Sequence, residues 1–421
     1  MPTAATRLLA IGDVHLGRVS SRLPHGVTAT SVGPDAALAQ AMRTAVELDV
    51  SAVLLAGDVA DSGRDLYHAV GVLEEAIGPV LDAGIEVIAV AGNHDHEVLP
   101  RLVRNLPGIK LLGEGGVWET VTVDGPGGPV RVLGWSFPGR HHRESPAAGL
   151  PRLDGDLPTV GLLHADLDAA GSSYAPVTSA ELATAGEVRW LLGHVHGPTL
   201  RPDDRAPGYL GSLVGLDPTE TGPHGPWLVT SGAGGVALQH LDDAPLRWES
   251  IELDITGLDD PGNNLYELVR GRIQEMLMER DRGHLGTRVT LVGRTRRYAA
   301  LDDAIVAMMD GGVAASEAGR VAFVDRTVSR AAPHHDLDDL ARGDDPPGLL
   351  ARELLALRDD GARELLEAAR ARVRETDASS AYKECRGEHP DDALLKDMLL
   401  NEGYLILDAL LSDREAADGT A

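Results

Sequence analysis

A polar cluster follows an apolar run in the stretch IEVIAVAGNHDHEV (85–98), where the chain changes to Asn-His-Asp-His at residues 93–96. These side chains can bind a metal ion or transfer a proton. Two histidines beside an aspartate are more often surface residues than a site, so the interpretation depends on partners elsewhere in the chain. Ligands bind at the carboxyl ends of the strands in open α/β sheets, so the ends of other apolar runs are where partners are expected.

Metal-capable side chains do follow several other apolar runs. Together with Asn93 from the first stretch, the candidate ligands are Asp13, His15, Asp58, Asn93, His164, His194 and His196. Residues two apart in an extended backbone project to the same side, so each Asp-x-His or His-x-His pair can face one cation. Seven nitrogen and oxygen donors without sulfur are too many for one tetrahedral zinc and suit two cations that share a carboxylate. Two ions about 3.5–4 Å apart activate water and hold phosphoryl oxygens, so the predicted chemistry is phosphoester hydrolysis.

Three early segments share one design, in which an apolar run is followed by a glycine and a polar cluster. These segments are 7–15, 51–61 and 85–96. Apolar residues recur at helical spacing between them, at 38–48 and at 66–81. The order β-α-β-α-β predicts parallel strands whose polar ends converge. From residue 117 onward, short strands separated by Gly and Pro turns predict a second sheet packed on the first.

The predicted fold class is α/β with mixed sheets: a four-layer α-β-β-α sandwich, a small α/β domain and a C-terminal helical segment. The expected boundaries are 1–245, 246–340 and 341–421, and ARGDDPPGLL (341–350) is interpreted as a linker because of its charge and its Pro-Pro-Gly. The last predicted helix, 391–411, is apolar nearly all round. Such a helix must be covered either by its own domain or by another protein, and both alternatives stay open.

Composition limits the classes of function. The formal net charge of −27 argues against a protein that coats itself with nucleic acid through a basic surface, although metal cations can reverse the field locally at one site. The single Cys385 excludes an intramolecular disulfide and a thiolate metal cluster, and it fits a reducing cytoplasm. The N-terminal segment is too short and polar for a signal peptide, and no later stretch could span a bilayer. We therefore expect a soluble, cytoplasmic protein without a membrane partner.

Five motifs occur in an order that resembles a known superfamily. They are GDVH (12–15), GDVAD (57–61), GNHD (92–95), the histidine of LLHAD (164) and GHVH (193–196). Together they are similar to the motifs of the calcineurin-like metallophosphoesterases. The resemblance implies that one metal is bound by Asp13, His15, Asp58 and His196. It implies that the other is bound by Asp58, Asn93, His164 and His194, with Asp58 bridging, and that His94 is the general acid, oriented by Asp95.

Further segments resemble a subfamily. DVHLGR (13–18) is similar to the opening of SbcD-type DNA repair nucleases, and VGLLHADLDAAGSSYAPVT (160–178) looks closest to their YhaO-like branch. This resemblance implies a capping domain, a tail that binds an SbcC-like coiled-coil ATPase, a homodimer, and two divalent ions, Mn²⁺ first, with Mg²⁺, Fe²⁺ or Zn²⁺ as alternatives. Asp61 stands where some relatives have a histidine implicated in exonuclease activity. The candidate DNA-contacting side chains are Arg18, Arg22, Arg140 and Arg143.

The leading hypothesis is a metal-dependent DNA exonuclease, with endonuclease activity left open, that acts in double-strand break repair through water activated by two metal ions. A small-molecule phosphodiesterase, such as one for cyclic nucleotides, would use the same site and suits the acidic composition better. A third hypothesis is a scaffold that binds an ATPase through its tail and keeps an idle site.

Overall fold

The computed structural model describes residues 4–18, 23–24, 26–61, 66–153, 157–232, 234–258, 260–359, 361–378 and 390–418. The strands are β1 Thr6–Ile11, β2 Ala52–Ala56, β3 Glu86–Val90, β4 Ile109–Leu111, β5 Glu119–Val123, β6 Val130–Trp135, β7 Thr159–His164, β8 Val188–Gly193, β9 Gly208–Tyr209, β10 Trp227–Gly232, β11 Gly235–His240, β12 Leu246–Asp254, β13 His284–Val292, β14 Arg294–Thr295, β15 Ala314–Glu317, β16 Arg320–Ser329 and β17 Ala332–Pro333. The helices are α1 Ala29–Val32, α2 Pro34–Glu47, α3 Leu66–Asp82, α4 Val98–Asn105, α5 Ser179–Leu182, α6 Pro261–Met278, α7 Leu301–Gly311, α8 Leu337–Leu340, α9 Pro346–Arg358, α10 Arg363–Ala378 and α11 Asp392–Asp418.

Two sheets position the candidate site. The first has the order β11-β10-β1-β2-β3-β4, in which β1 to β4 run parallel and β10 runs antiparallel to β1. The second has the order β5-β6-β7-β8-β9, in which β6 to β9 run parallel and β5 is antiparallel. The carboxyl ends of parallel neighbours meet at one edge of each sheet, which is where the sequence places the polar clusters.

Alternating side chains of the strands explain the layers. In β1, Leu8 belongs to a core cluster with Val160 of β7 between the two sheets. Its neighbour Leu9 points the other way and shares a cluster with Leu38 of α2. On the far side of the second sheet, Leu163 of β7 clusters with residues of α5. Each fully buried leucine contributes about 1.5–3 kcal/mol, and the α-β-β-α sandwich expected from the sequence is confirmed.

The chain divides into two compact units. The first comprises Met1–Ser250, Arg272–Arg288 and Ala314–Asp325, and the second comprises Ile251–Gly271, Val289–Val313 and Arg326–Ala421. A further sheet has the order β12-β13-β16-β15, and β14 pairs with β17. The second unit contains α7 to α11. The division into three domains at residues 245 and 340 stays a prediction.

The expected linker at 341–350 is partly wrong, because its second half is the start of a helix. Helix α9 begins at Pro346, and the carboxylate of Asp345 accepts a hydrogen bond from the backbone N–H of Gly348 at 3.1 Å. Proline is favoured in the first helical turn and aspartate caps a helix N-terminus, so the residues taken as a linker signal are also a helix start. The chain is helical again after a short break, since α9 ends at Arg358 and α10 begins at Arg363.

The last helix is covered on one side by its own unit. Leu407 of α11 is fully buried in a cluster with Leu354 of α9. Four other apolar residues of α11 are between 37% and 54% exposed, namely Leu394, Met398, Leu405 and Ile406. Among the described residues, none of the helices has the length and apolarity needed to cross a membrane.

Candidate metal centre

Strand ends of both sheets bring the predicted ligands together in the first unit. One group consists of Asp13, His15 and His196, and a second consists of Asp58, His164 and His194. Within each group the candidate ligand atoms lie within 4.8 Å of one another. Each group therefore has the dimensions of a single cation site.

Asp58 lies between the two groups. Its Oδ2 is 3.3 Å from Nε2 of His164 in the second group and 3.9 Å from Nε2 of His15 in the first. Asn93 joins the second group, because its Oδ1 lies 3.0 Å from Nε2 of His164 and 3.1 Å from Nδ1 of His194. All seven candidate ligands thus converge, and their division between two metal ions stays a prediction.

The backbone around the site is strained. Four candidate ligands have φ in the left-handed region, namely Asp13 (33°), His15 (56°), Asp58 (49°) and His194 (105°). Such conformations cost about 1–3 kcal/mol each for non-glycine residues and concentrate at functional sites. Gly92 permits a close approach, because a Cβ there would lie 2.2 Å from Oδ1 of Asp58. Glycine before the polar cluster is therefore required for space at this strand end.

The seven candidate ligands form a cage. Each of its four histidines has one ring nitrogen directed at the other ligands and the second ring nitrogen held by an oxygen atom outside the cage. The outer pairs are His15 Nδ1 with Asp61 Oδ1 (3.0 Å), His196 Nδ1 with Glu220 Oε1 (2.8 Å), His164 Nδ1 with the carbonyl of Ala56 (3.0 Å) and His194 Nε2 with Asp166 Oδ1 (3.2 Å). An acceptor on the outer nitrogen fixes the tautomer and leaves the inner nitrogen free to bind a metal.

Sequence reasoning missed two of these outer partners, Asp166 and Glu220. Asp166 lies two residues after His164, so the alternation of an extended segment offered a weak signal for it. Glu220 lies in the loop after β9, and only the tertiary structure brings it to His196.

The charges of the site are strongly coupled. Burial opposes protonation of His164, but the carboxylates of Asp58 and Asp13 outweigh it and raise the pKa of His164 to about 9. Burial works to raise the pKa of Asp58, whereas His164 holds it well below its usual range. Burial and the nearby His164 lower the pKa of His194 to about 4. The site therefore stabilises both carboxylate charge and a neighbouring positive charge.

The donor set fits two divalent cations. Asp13 and Asp58 are 0% and 2% exposed, and buried carboxylates require compensating positive charge. Imidazole, carboxylate and amide donors without sulfur suit Mn²⁺, Fe²⁺, Zn²⁺ or Mg²⁺, and they do not select one among these. The residues can thus hold divalent metals, and the identity of the metal stays a prediction.

His94 lies at the exposed side of the cage. Its side chain is 43% exposed, its Nδ1 is 3.1 Å from the carbonyl oxygen of Asp61, and its backbone N–H donates to Oδ1 of Asp58 at 2.9 Å. An exposed imidazole held by one nitrogen can exchange a proton with a bound substrate through the other.

Asp95 does not orient His94, contrary to the expectation. Its carboxylate is fully buried and accepts hydrogen bonds from the backbone N–H groups of Gly92 and Val59, both at 2.7 Å. Burial and the neighbouring carboxylate of Asp58 raise the pKa of Asp95. The short side chain points into the protein to satisfy two buried amides, so the turns that carry Asn93 and Asp58 are joined through it.

The structure describes three of the four arginines that were predicted to contact DNA. Arg18 is exposed, and its backbone N–H donates to the carbonyl oxygen of His15 at 3.0 Å. Arg140 and Arg143 are exposed on the loop after β6. Arg22 lies outside the described residues. Contact of these side chains with DNA stays a prediction.

Comparison with known proteins agrees with this geometry. Residues 6–198 match the calcineurin-like phosphoesterase family. An uncharacterized metallophosphoesterase of Bacillus subtilis, YhaO, is 27% identical over 216 residues, which are 50% of this chain and 53% of the relative. The DNA double-strand break repair protein Mre11 of Aeropyrum pernix is 28% identical over 291 residues, 64% of this chain and 68% of the relative. The chain thus spans about half the length of the first relative and two thirds of the second.

Solved structures also show a partial likeness. The crystal structure of a dimetal phosphatase from Danio rerio covers 56% of this chain and 96% of its own, with 12% identity and a TM-score of 0.37, a likeness too low to bear on function. Residues 6–198 are thus similar to the calcineurin-like phosphoesterase family, and the nitrogen and oxygen donor set agrees with that similarity.

Proposed function

We propose that this chain is a metal-dependent DNA nuclease that hydrolyses phosphodiesters, acting as an exonuclease in double-strand break repair in the cytoplasm. The observation that carries the proposal is the pair of ligand groups on either side of Asp58, with the exposed His94 beside them. Two divalent ions, Mn²⁺ by preference, would supply Lewis acidity and an activated water to such a site.

The side chains of the site have separate tasks in this proposal. The four histidines, two aspartates and Asn93 hold the ions, and their outer partners keep the imidazoles in place. His94 gives a proton from Nε2 to the leaving oxygen while Nδ1 stays hydrogen-bonded to the carbonyl of Asp61. Asp95 holds the two turns at fixed spacing through the N–H groups of Gly92 and Val59.

DNA is the preferred substrate because of the relatives and the rim of the site. One relative is a DNA double-strand break repair protein, and the exposed Arg18 follows the candidate ligand His15, with its backbone N–H donating to the carbonyl oxygen of His15 at 3.0 Å. An exposed cationic side chain close in the chain to a candidate ligand suits a phosphate backbone. A small-molecule phosphodiesterase is the second candidate, favoured by the net charge of −27, which repels a long polyanion.

The partner expected from the resemblance is a coiled-coil ATPase, and we place its docking surface on α11. The exposed apolar residues Leu394, Met398, Leu405 and Ile406 suit a partner helix, since an apolar helix face is normally covered. Homodimerisation is part of the same proposal.

The test compares cleavage of linear DNA and of bis(p-nitrophenyl) phosphate with Mn²⁺ or EDTA. We expect metal-dependent cleavage of both substrates, and a loss of about 10²–10⁴-fold in rate for His94→Ala. His68→Ala is the control, because this histidine of α3 is bonded to Asp35 at 2.7 Å and has no part in the proposed chemistry. Cleavage of the small diester alone would favour the second candidate. Equal activity of wild type and His94→Ala would contradict the mechanism, and no activity on either substrate would favour the scaffold hypothesis.

A further inference from the structure

Glu220 is the outer partner of His196, and both oxygens of its carboxylate are engaged. Oε1 lies 2.8 Å from Nδ1 of His196, and Oε2 accepts a hydrogen bond from the backbone N–H of Leu216 at 2.8 Å. The hydroxyl of Ser212 lies 3.5 Å from the same Oε2. The side chain is 17% exposed, so solvent competes little for these bonds.

The loop that carries Glu220 is attached to the histidine it contacts. The backbone N–H of Ser212 donates to the carbonyl oxygen of His196 at 2.8 Å. The hydroxyl of Ser212 is 3.1 Å from Nδ1 of His224, a buried histidine whose Nε2 lies 3.3 Å from the carbonyl oxygen of Glu220. The loop that carries the carboxylate is therefore held by hydrogen bonds both at Ser212 and at Glu220 itself.

The two ligand groups differ in their outer support. In the group of Asp13, His15 and His196, both imidazoles are held by carboxylates, those of Asp61 and Glu220. In the other group, His194 is held by the carboxylate of Asp166, but His164 is held by a backbone carbonyl, which carries no full charge. A carboxylate on the outer nitrogen raises the basicity of the inner nitrogen more than a carbonyl does.

We propose that Glu220 is a positioning residue that holds His196 with Nδ1–H outward and Nε2 toward the cage, and thereby sets the affinity of the Asp13–His15–His196 group for its cation. The inference rests on the dinuclear site of the proposed function. Replacement of the carboxylate would let the imidazole rotate or take the other tautomer, and the effect would be confined to this one group.

The test is Mn²⁺ titration of the metal-free full chain by calorimetry and by electron paramagnetic resonance, which follow binding independently of activity. We expect wild type to bind two ions and Glu220→Ala to bind one of them about 10–100-fold more weakly, with the other unchanged. Glu220→Gln keeps an acceptor oxygen and is expected to lie between the two. Glu119→Ala is the matched control, because Glu119 accepts a loop N–H, that of Gly113, at 3.1 Å and is not one of the outer partners of the four histidines.

The outcomes separate this inference from the function on which it rests. Unchanged affinity for both ions in Glu220→Ala and Glu220→Gln would overturn the inference alone. Equal weakening of both ions would show that the loop merely supports the fold, and would also overturn it. Absence of Mn²⁺ binding by wild type would overturn the dinuclear site together with the inference. If Glu220→Ala does not fold, the same comparison is made with Glu220→Gln.

Discussion

Replacement of Asp95 tests the role that the structure assigns to it. The carboxylate is fully buried and satisfies two buried backbone N–H groups at 2.7 Å, those of Gly92 and Val59. Asp95→Ala leaves both donors without an acceptor, at a cost of about 1–3 kcal/mol each. We expect a loss of about 2–6 kcal/mol in the free energy of unfolding of the first unit. Asp95→Asn has one acceptor oxygen and is expected to lose about half as much.

Urea denaturation followed by tryptophan fluorescence measures this loss selectively. All five tryptophans lie within Met1–Ser250, so the signal reports on the first unit and not on the second. Titrations in EDTA remove any contribution of bound metal to stability. Asp124→Ala, at an exposed position, is the control and is expected to change the free energy by less than about 0.5 kcal/mol.

A change of less than about 1 kcal/mol in Asp95→Ala would refute the reasoning, because two unsatisfied buried donors cost more than that. A variant with wild-type stability but lost phosphodiesterase activity would return Asp95 to the role expected from the sequence, that of orienting His94.

Three other predictions concern the metal centre and the second unit. The pKa of His164 is about 9 in the metal-free protein, so metal binding between pH 7 and pH 9 should release its proton and become tighter as the pH rises. Calorimetry in buffers of different ionisation enthalpy measures this proton release. Metal binding without proton release would contradict the assignment of His164 as a ligand. Gly92→Ala would place a Cβ 2.2 Å from Oδ1 of Asp58, so Mn²⁺ binding should be lost, and unchanged binding in a titration would show that the backbone can yield. Leu407→Ala should lower the free energy of unfolding of the second unit by about 2–5 kcal/mol and make α11 more sensitive to limited proteolysis. Ile406→Ala, at a 54% exposed position, is the control and should change neither property.

The sequence by itself predicted that the first strands run parallel, and it identified the candidate ligands. Apolar runs that end in Asp-x-His or His-x-His can be recognised locally, because strand periodicity and the chemistry of the donors are properties of adjacent residues. The parallel arrangement of β1 to β3 follows from the helices between them, so the convergence of Asp13, Asp58 and Asn93 could be predicted.

The tertiary structure alone decided what holds those ligands. Asp95 lies beside His94 in the chain, yet its carboxylate accepts from Val59, 36 residues away. Glu220 supports His196 from a loop with no strand or helix pattern. A backbone N–H or carbonyl group is the same in almost every residue type, so the sequence does not indicate which one a side chain will bind. Contacts between distant loops depend on tertiary packing, which no local sequence pattern encodes. The candidate ligands could therefore be predicted from the sequence, whereas the residues that hold them in position could not.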